Sequence, residues 1–311
     1  MEKFSLRKAY GEALVEAGAE NSDIVVLDAD LSKSTMSTLF KAAYPDRFFE
    51  MGIAEQNMTS VAAGLALAGK IPFTGTFAVF AAGRAYDQIR CSVAIPQANV
   101  KICGSSCGLS DYGDGKTHQS VEDANIIRAI PNMTVLNPVD AVEVKKMVKA
   151  MIAYKGPVYI RINRNDLPSY TDPNGEYQIG KINPVRYGSD VALFATGVMV
   201  SKAEEALVSL GKEGISVELL NVSTLKPLCK EEILKYVSGK KAVIVAEEAV
   251  KSGGLGEAIA SLIAGEVNLP FGQVCINDVF GTSARNYDEL LKKYNLSAKD
   301  VYSAVKKAVG K

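Results

Sequence analysis

The chain has 311 residues, with 35 Lys and Arg balanced by 35 Asp and Glu, so its formal charge is zero. That balance excludes a generic polyanion binder, since no basic field rewards a phosphate backbone, but it leaves local arginine clusters possible. With 48% hydrophobic and 23% charged residues the composition is that of a globular protein. The length suggests two domains that need neither disulfide nor metal staples.

Five cysteines, Cys91, Cys103, Cys107, Cys229 and Cys275, are odd in number and irregularly spaced. Cys103 and Cys107 form a CxxxC, but no second pair and no second histidine completes a zinc site, so buried thiols in a reducing compartment are expected. Residues 1–7 lack the apolar run of a secretory signal, and the weakly polar stretch 61–69 is too short to span a bilayer. The expectation is a soluble, cytoplasmic protein with no membrane or nucleic-acid partner.

Short apolar runs alternate with helical periods, which predicts an α/β fold with mostly parallel sheets flanked by helices. A buried strand over 24–27 ends at Asp28-Ala29-Asp30 and a Ser/Thr-rich loop. A short strand over 48–51 leads through Gly52 into a helix over 54–68. The small residues Ala62, Ala63, Gly64, Ala66 and Ala68 fit that helix for close packing, within its domain or against another helix. Strands follow at 71–77, 100–103, 133–136 and 158–162, with a clear helix at 141–154. From 163 to 187 the pattern breaks around Pro168, Pro173, Asn174-Gly175, Gly180 and Pro184. A new α/β pattern has strands at 190–194, 215–220, 242–246 and 273–276 and a helical tail from Ser297. The reading is a first domain over 1–165, a linker over 166–187 and a second domain over 188–311.

His118 is the one histidine, and it closes a polar run that carries Gly104, Gly108, Gly113 and Gly115. Such a run is either a surface loop or a place where backbone must approach a ligand closely. Gly113-Asp114-Gly115 has the letters of a magnesium–diphosphate motif. The residues before it are polar rather than an apolar strand, and Pro138 follows Asn137 where a second asparagine is needed. That motif is rejected. Glu55, in Met51-Gly52-Ile53-Ala54-Glu55-Gln56-Asn57, serves either the helix macrodipole or a ligand admitted by Gly52 and Ala54. Phe77 and Phe80 are either core or a stacking site, and Arg7, Arg161 and Arg164 individually read as surface residues.

Together these segments resemble the transketolase family. Met51-Gly52-Ile53-Ala54-Glu55-Gln56-Asn57 is similar to its GIxE segment, Gly75-Thr76-Phe77 to its aromatic strand, and Asp114-Gly115-Lys116-Thr117-His118-Gln119 to its DGxTHQ loop. Glu122-Asp123, the run 128–133 and Arg164-Asn165-Asp166-Leu167-Pro168 continue the match. Gly253-Gly254-Leu255-Gly256 and Phe280-Gly281 resemble the C-terminal domain. The resemblance spans the chain but only half of a usual transketolase: the pyrimidine-binding and C-terminal domains, without the diphosphate-binding domain. Arg7 follows closely on Met1, which suits a natural subunit boundary.

The resemblance implies the C-terminal subunit of a two-chain transketolase, a transferase of two-carbon ketol units from xylulose 5-phosphate to ribose 5-phosphate. Its cofactor would be thiamine diphosphate, with magnesium or a similar ion held mainly by an N-terminal partner subunit in an α2β2 assembly. Glu55 would activate the aminopyrimidine, Phe77 and Phe80 would hold that ring, and Asp30 would lie beside the cofactor. His118 and Asp114 would bind donor hydroxyls and carbonyl; Arg7, Ser34 and Arg164 would bind the sugar phosphate. A third family aromatic falls around Gly83-Arg84, and a second loop histidine near Ser106 or Cys107, where this chain has neither. Sister classes are the 2-oxo acid dehydrogenase β subunits, which normally lack Thr-His-Gln, and the deoxyxylulose-phosphate synthases, which share Arg84-Ala85-Tyr86-Asp87-Gln88. A catalytically silent scaffold would need none of the retained Glu55, Asp114, His118 and Arg164.

Overall fold

A computed structural model describes residues 2–310. The strands in chain order are β1 (Lys3–Ser5), β2 (Ile24–Asp28), β3 (Phe48–Glu50), β4 (Ile71–Phe77), β5 (Lys101–Ser105), β6 (Thr134–Leu136) and β7 (Val158–Ile162), then β8 (Asp166–Pro168), β9 (Asn183–Arg186), β10 (Val191–Ala195), β11 (Val217–Asn221), β12 (Thr224–Lys226), β13 (Ala242–Val250) and β14 (Phe271–Ile276). The first sheet runs β12-β6-β7-β5-β4-β2-β3 and the second β14-β13-β10-β11-β9. Both are parallel except at one edge, where β12 and β9 pair antiparallel. The central strands β2, β5, β7 and β10 are buried at every position. That explains why β2 and β10 read as apolar runs rather than alternating ones.

The helices cover the faces of the sheets, and several begin at side-chain caps. Ser5 accepts from the Lys8 N–H to start Leu6–Glu20, and Asp140 accepts from the Glu143 N–H to start Ala141–Ala153. These two helices pack against each other. Ser297 and Asp300 form a reciprocal capping box at the head of Ala298–Ala308, each such cap contributing about 1 kcal/mol. Among the described residues no helix is long and apolar enough to cross a membrane.

The halves are more interlocked than the sequence pattern suggests. The 166–187 segment carries a strand at each end: β8 returns to pair with β1, and β9 joins the second sheet beside β11. From the second half, β12 reaches back to the edge of the first sheet. The small residues of helix Glu55–Leu67 divide between its faces. Ala62 and Ala63 are buried against the sheet, whereas a Cβ on Gly64 would meet nothing within 4 Å.

Candidate active site

Parallel sheets bind ligands beyond the carboxyl ends of their strands. Asp30 and Ser34 follow β2, Glu55 follows β3, Phe77 ends β4 with Phe80 just beyond, Asp114 and His118 lie on the loop after β5, and Arg164 follows β7. The sheet order β7-β5-β4-β2-β3 sets these strand ends side by side along one edge. Asp30 after β2 and Ser106 after β5 adopt left-handed backbone, at φ 62° and 54°. Such strained positions gather at functional sites.

Arg7 joins this edge from another element. In the antiparallel β1–β8 register Ser5 faces Asp166, and two further steps bring Arg7 towards Arg164. The neighbouring Arg164 and, more strongly, burial push the Arg7 guanidinium below its ordinary pKa. A cation in a first helical turn also opposes the macrodipole. Arg7 Nη1 donates to the Ser34 carbonyl at 2.9 Å, and its Nε is buried with no partner. Two cations held together with an unused donor suit a bound anion. A cavity of about 490 Å3 opens beside Arg7 and Arg164, walled across the domain junction by Lys202, Tyr287 and Asp288.

Glu55 is 1% exposed and opens its helix, but its side chain does not cap it. Its two carboxylate oxygens each accept from Arg84 Nη1 at 2.8 Å. Arg84 ends a wide turn over Val79–Arg84 whose amides reach five residues back. Such turns are frequent at functional sites. The Arg84 guanidinium also lies 4.6 Å from the Phe80 ring centroid. Phe80 and Phe77 are near parallel, their centroids 6.2 Å apart at 16°. His118 meets both edge-on, at 5.5 Å from Phe80 and 6.3 Å from Phe77. Its Nδ1 lies 3.0 Å from the Thr117 hydroxyl. Arg164 lies 5.9 Å from the Phe77 centroid.

The structure gathers Glu55, Phe77, Phe80, His118, Arg164 and Arg7 through these contacts. Ser34 enters by its carbonyl. Asp30 is exposed and held by its own N–H, which donates to Glu50 Oε1 at 2.8 Å. Asp114 is exposed at the head of the short turn Gly115–Thr117. The partner of Arg164 is instead Asp111, whose Oδ2 accepts from Nη1 at 2.8 Å. Sequence reasoning missed Asp111, Arg84 and the buried Asp28. Asp28 accepts from Thr35 Oγ1, Ser37 Oγ and the Leu31 N–H at 2.8, 2.8 and 2.7 Å, fixing the loop that carries Asp30 and Ser34. Burial pushes this carboxyl up to about 6 against those hydrogen bonds.

The glycine-rich loop is not a surface loop at its base: residues 104–111 are buried. Gly108, at φ 61°, has Glu248 of β13 where a Cβ would stand, 2.3 Å away, and Gly115, at φ 78°, has the Ser283 hydroxyl at 2.5 Å. These glycines admit the second domain rather than a ligand. Glu248 accepts from the Leu109 N–H at 2.9 Å and the Tyr287 hydroxyl at 2.7 Å. Gln119 Nε2 bridges the Asp111 and Thr282 carbonyls at 3.0 Å each. The second domain therefore braces the loop that presents His118. Arg161 is likewise no surface residue. It is 2% exposed and forks onto Asp123 at 2.9 and 2.8 Å. Cys103 and Cys107 are free and buried, with burial raising both thiols, Cys103 to about 12.

The transketolase pyrimidine-binding domain family matches residues 2–169, and the transketolase C-terminal domain family matches residues 180–301. The chain belongs to the transketolase family. It is 44% identical to a transketolase C-terminal section of Methanocaldococcus jannaschii, covering 95% of this chain and 93% of that one. It is 40% identical to the 6-deoxy-6-sulfo-D-fructose transketolase subunit of Clostridium sp. (strain MSTE9), over 98% and 94% of the two chains. Human transketolase is 36% identical, but this transketolase-family chain spans only 50% of its length. Among solved structures, a split-gene transketolase described as an inactive β4 tetramer superimposes with a TM-score of 0.90 at 45% identity, covering 99% of each chain. The Campylobacter jejuni transketolase, at 19% identity and TM-score 0.84 over 98% of this chain and 47% of its own, shares the fold.

Proposed function

We propose that this chain is the C-terminal subunit of a split transketolase, a transferase that depends on thiamine diphosphate and is completed by a partner carrying the diphosphate-binding domain. The observation that carries this reading is the buried Glu55 carboxylate, joined through Arg84 to the near-parallel Phe77–Phe80 pair with His118 edge-on to both. A flat aminopyrimidine suits that set. Aromatic faces hold the ring, and a buried carboxylate rewards a ring nitrogen that brings it a proton. When bound, the cofactor supplies an acidic carbon at which a two-carbon ketol unit is carried.

The roles of this chain's residues follow from their placement. Glu55 holds a proton at the ring nitrogen. His118, beside the rings and partly exposed, exchanges protons with sugar hydroxyls, with Asp114 and Asp30 at the rim. Arg7 and Arg164, with the Ser34 loop, hold the anionic end of the sugar, for which the buried unpartnered Arg7 Nε is a ready donor. The donor is a ketose phosphate such as xylulose 5-phosphate and the acceptor an aldose phosphate such as ribose 5-phosphate. Magnesium or a similar ion belongs with the diphosphate on the partner chain. Among the described residues, no group of three or more His, Cys, Asp or Glu could hold a metal.

An α2β2 assembly in the cytoplasm fits this division of labour. Ile53, just before Glu55, and Leu67, at the far end of its helix, are 75% and 72% exposed, and Gly64 faces open space, a surface suited to close docking of another chain. The inactive β4 tetramer of the split-gene relative supports the need for a partner. The test is to mix the chain with its diphosphate-binding partner, thiamine diphosphate and magnesium, and follow two-carbon transfer from xylulose 5-phosphate to ribose 5-phosphate. Transfer by the mixture alone is expected. Decarboxylation of pyruvate instead, or full activity of this chain by itself, would overturn the proposal.

A further inference from the structure

Glu55 and Phe80 are both engaged by one side chain. Arg84 Nη1 sits 2.8 Å from each oxygen of Glu55, and among the described residues no other side chain donates to that carboxylate. The same guanidinium lies over the Phe80 ring. A guanidinium is flat, cationic and rich in donors, and it stacks on aromatic faces. Those are the properties by which an aminopyrimidine would bind Phe80 and Glu55. We propose that Arg84 is an internal stand-in for the cofactor's pyrimidine ring, holding Glu55 paired and Phe80 covered until the ring displaces it.

The proposal rests on the reading of Glu55 and Phe80 given above and adds a competitor to it. A ring that stacks on this face of Phe80 and bonds Glu55 needs the place the Arg84 guanidinium now holds, 4.6 Å from the ring centroid and 2.8 Å from both carboxylate oxygens. Displacement is feasible here. The Arg84 side chain is 46% exposed, so its charge can swing into water, whereas the Arg161 side chain at 2% exposure has no such exit. Gly83 beside it leaves open space, with nothing within 4 Å of where a Cβ would stand. The cost of moving Arg84 lowers the apparent affinity of the ring, as for any site whose competent state is only partly populated.

The test uses the full chain and 4-amino-5-hydroxymethyl-2-methylpyrimidine, titrated by ligand-observed NMR. Arg84→Met, which removes the competing charge, should bind this ring on the order of fivefold more tightly than wild type. Glu55→Gln should bind it more weakly. In the wild type, the arginine Nε–H resonance that disappears in Arg84→Lys should shift and exchange faster with water as the ring is added. That signal does not depend on Arg84→Met folding. Equal or weaker binding by folded Arg84→Met, or an Arg84 resonance unmoved by saturating ring, would overturn the stand-in while leaving the Glu55 site intact. Binding indifferent to Glu55→Gln, or no binding by any variant, would overturn both.

Discussion

Two arginine–aspartate pairs whose arginines lie three residues apart on the chain do opposite work. Arg161–Asp123 and Arg164–Asp111 both close at 2.8 Å, and both aspartates are buried. Arg161 comes from inside β7, and its side chain is 2% exposed; Tyr159 adds a hydroxyl to Asp123 at 2.9 Å, and Arg161 also reaches the Glu248 carbonyl. The pair lies buried within the first domain and touches the second through that carbonyl at 3.4 Å, so its work is structural. Arg164 lies past the strand end, 33% exposed, with one edge on Asp111 and its body near Phe77 and Arg7. The residue lines the cleft beside Arg7. The geometry of an ion pair is therefore a poor guide to its role; its surroundings are the better one.

Cutting each pair should separate the roles. Arg161→Met strands a buried carboxylate and should cost about 3–5 kcal/mol of stability, read from the denaturant midpoint. Arg164→Met should cost roughly 1–2 kcal/mol, because Asp111 can take up a proton or water. Equal losses would erase the distinction. The domain brace behind Arg161 has its own signature in pH. Burial raises Glu248 from 4.5 to about 7. The folded state therefore holds its proton more tightly than the unfolded state. The stability this confers is full below about 4.5 and is lost as pH rises through about 7, on the order of 3 kcal/mol. Glu248→Gln keeps an acceptor for Leu109 and Tyr287 and should remove that decline. An unchanged slope in pH-dependent unfolding would place the titration elsewhere.

The smallest effect on folding belongs to the cleft. Arg164→Ala and Arg7→Ala each remove a charge-assisted contact of about 1.5–3 kcal/mol, so KM for phosphorylated sugars should rise roughly 10–150-fold in the assembled enzyme. Hydroxypyruvate, which has no phosphate and whose carboxylate adjoins the reacting carbonyl, should be nearly unaffected. A sulfonated ketose should suffer as the phosphates do, since the arginines read an anion rather than phosphorus. Equal damage to hydroxypyruvate would make these arginines structural.

The sheets were legible in the sequence because buried parallel strands read as uninterrupted apolar runs, as in Ile24–Asp28 and Val191–Ala195. Three-residue strands were not: β1, β8 and β12 have no periodicity to detect, yet β1 and β8 bring Arg7 to Arg164. Glu55, the phenylalanines and His118 could be named as candidates because the resemblance placed each in a motif. Arg161 was misread because an arginine inside an apolar strand looks exposed until its partner Asp123 is found 38 residues away. The loop glycines signalled close approach correctly, but what approaches is Glu248 and Ser283. Arg84 gave a signal only in retrospect, as a cation in the Gly83-Arg84 stretch where the third family aromatic is missing.

The central claim is that Glu55 acts on the cofactor rather than serving the fold. Hydrogen–deuterium exchange at C2 of thiamine diphosphate, measured by NMR in the assembled complex with Glu55→Gln, tests it most directly. The variant keeps side-chain volume and can still accept from Arg84, so assembly and cofactor binding should persist while C2 exchange slows by two or more orders of magnitude, the scale of a lost proton-transfer group, about 10²–10⁴-fold. Exchange at the wild-type rate in a properly assembled Glu55→Gln complex would contradict the account.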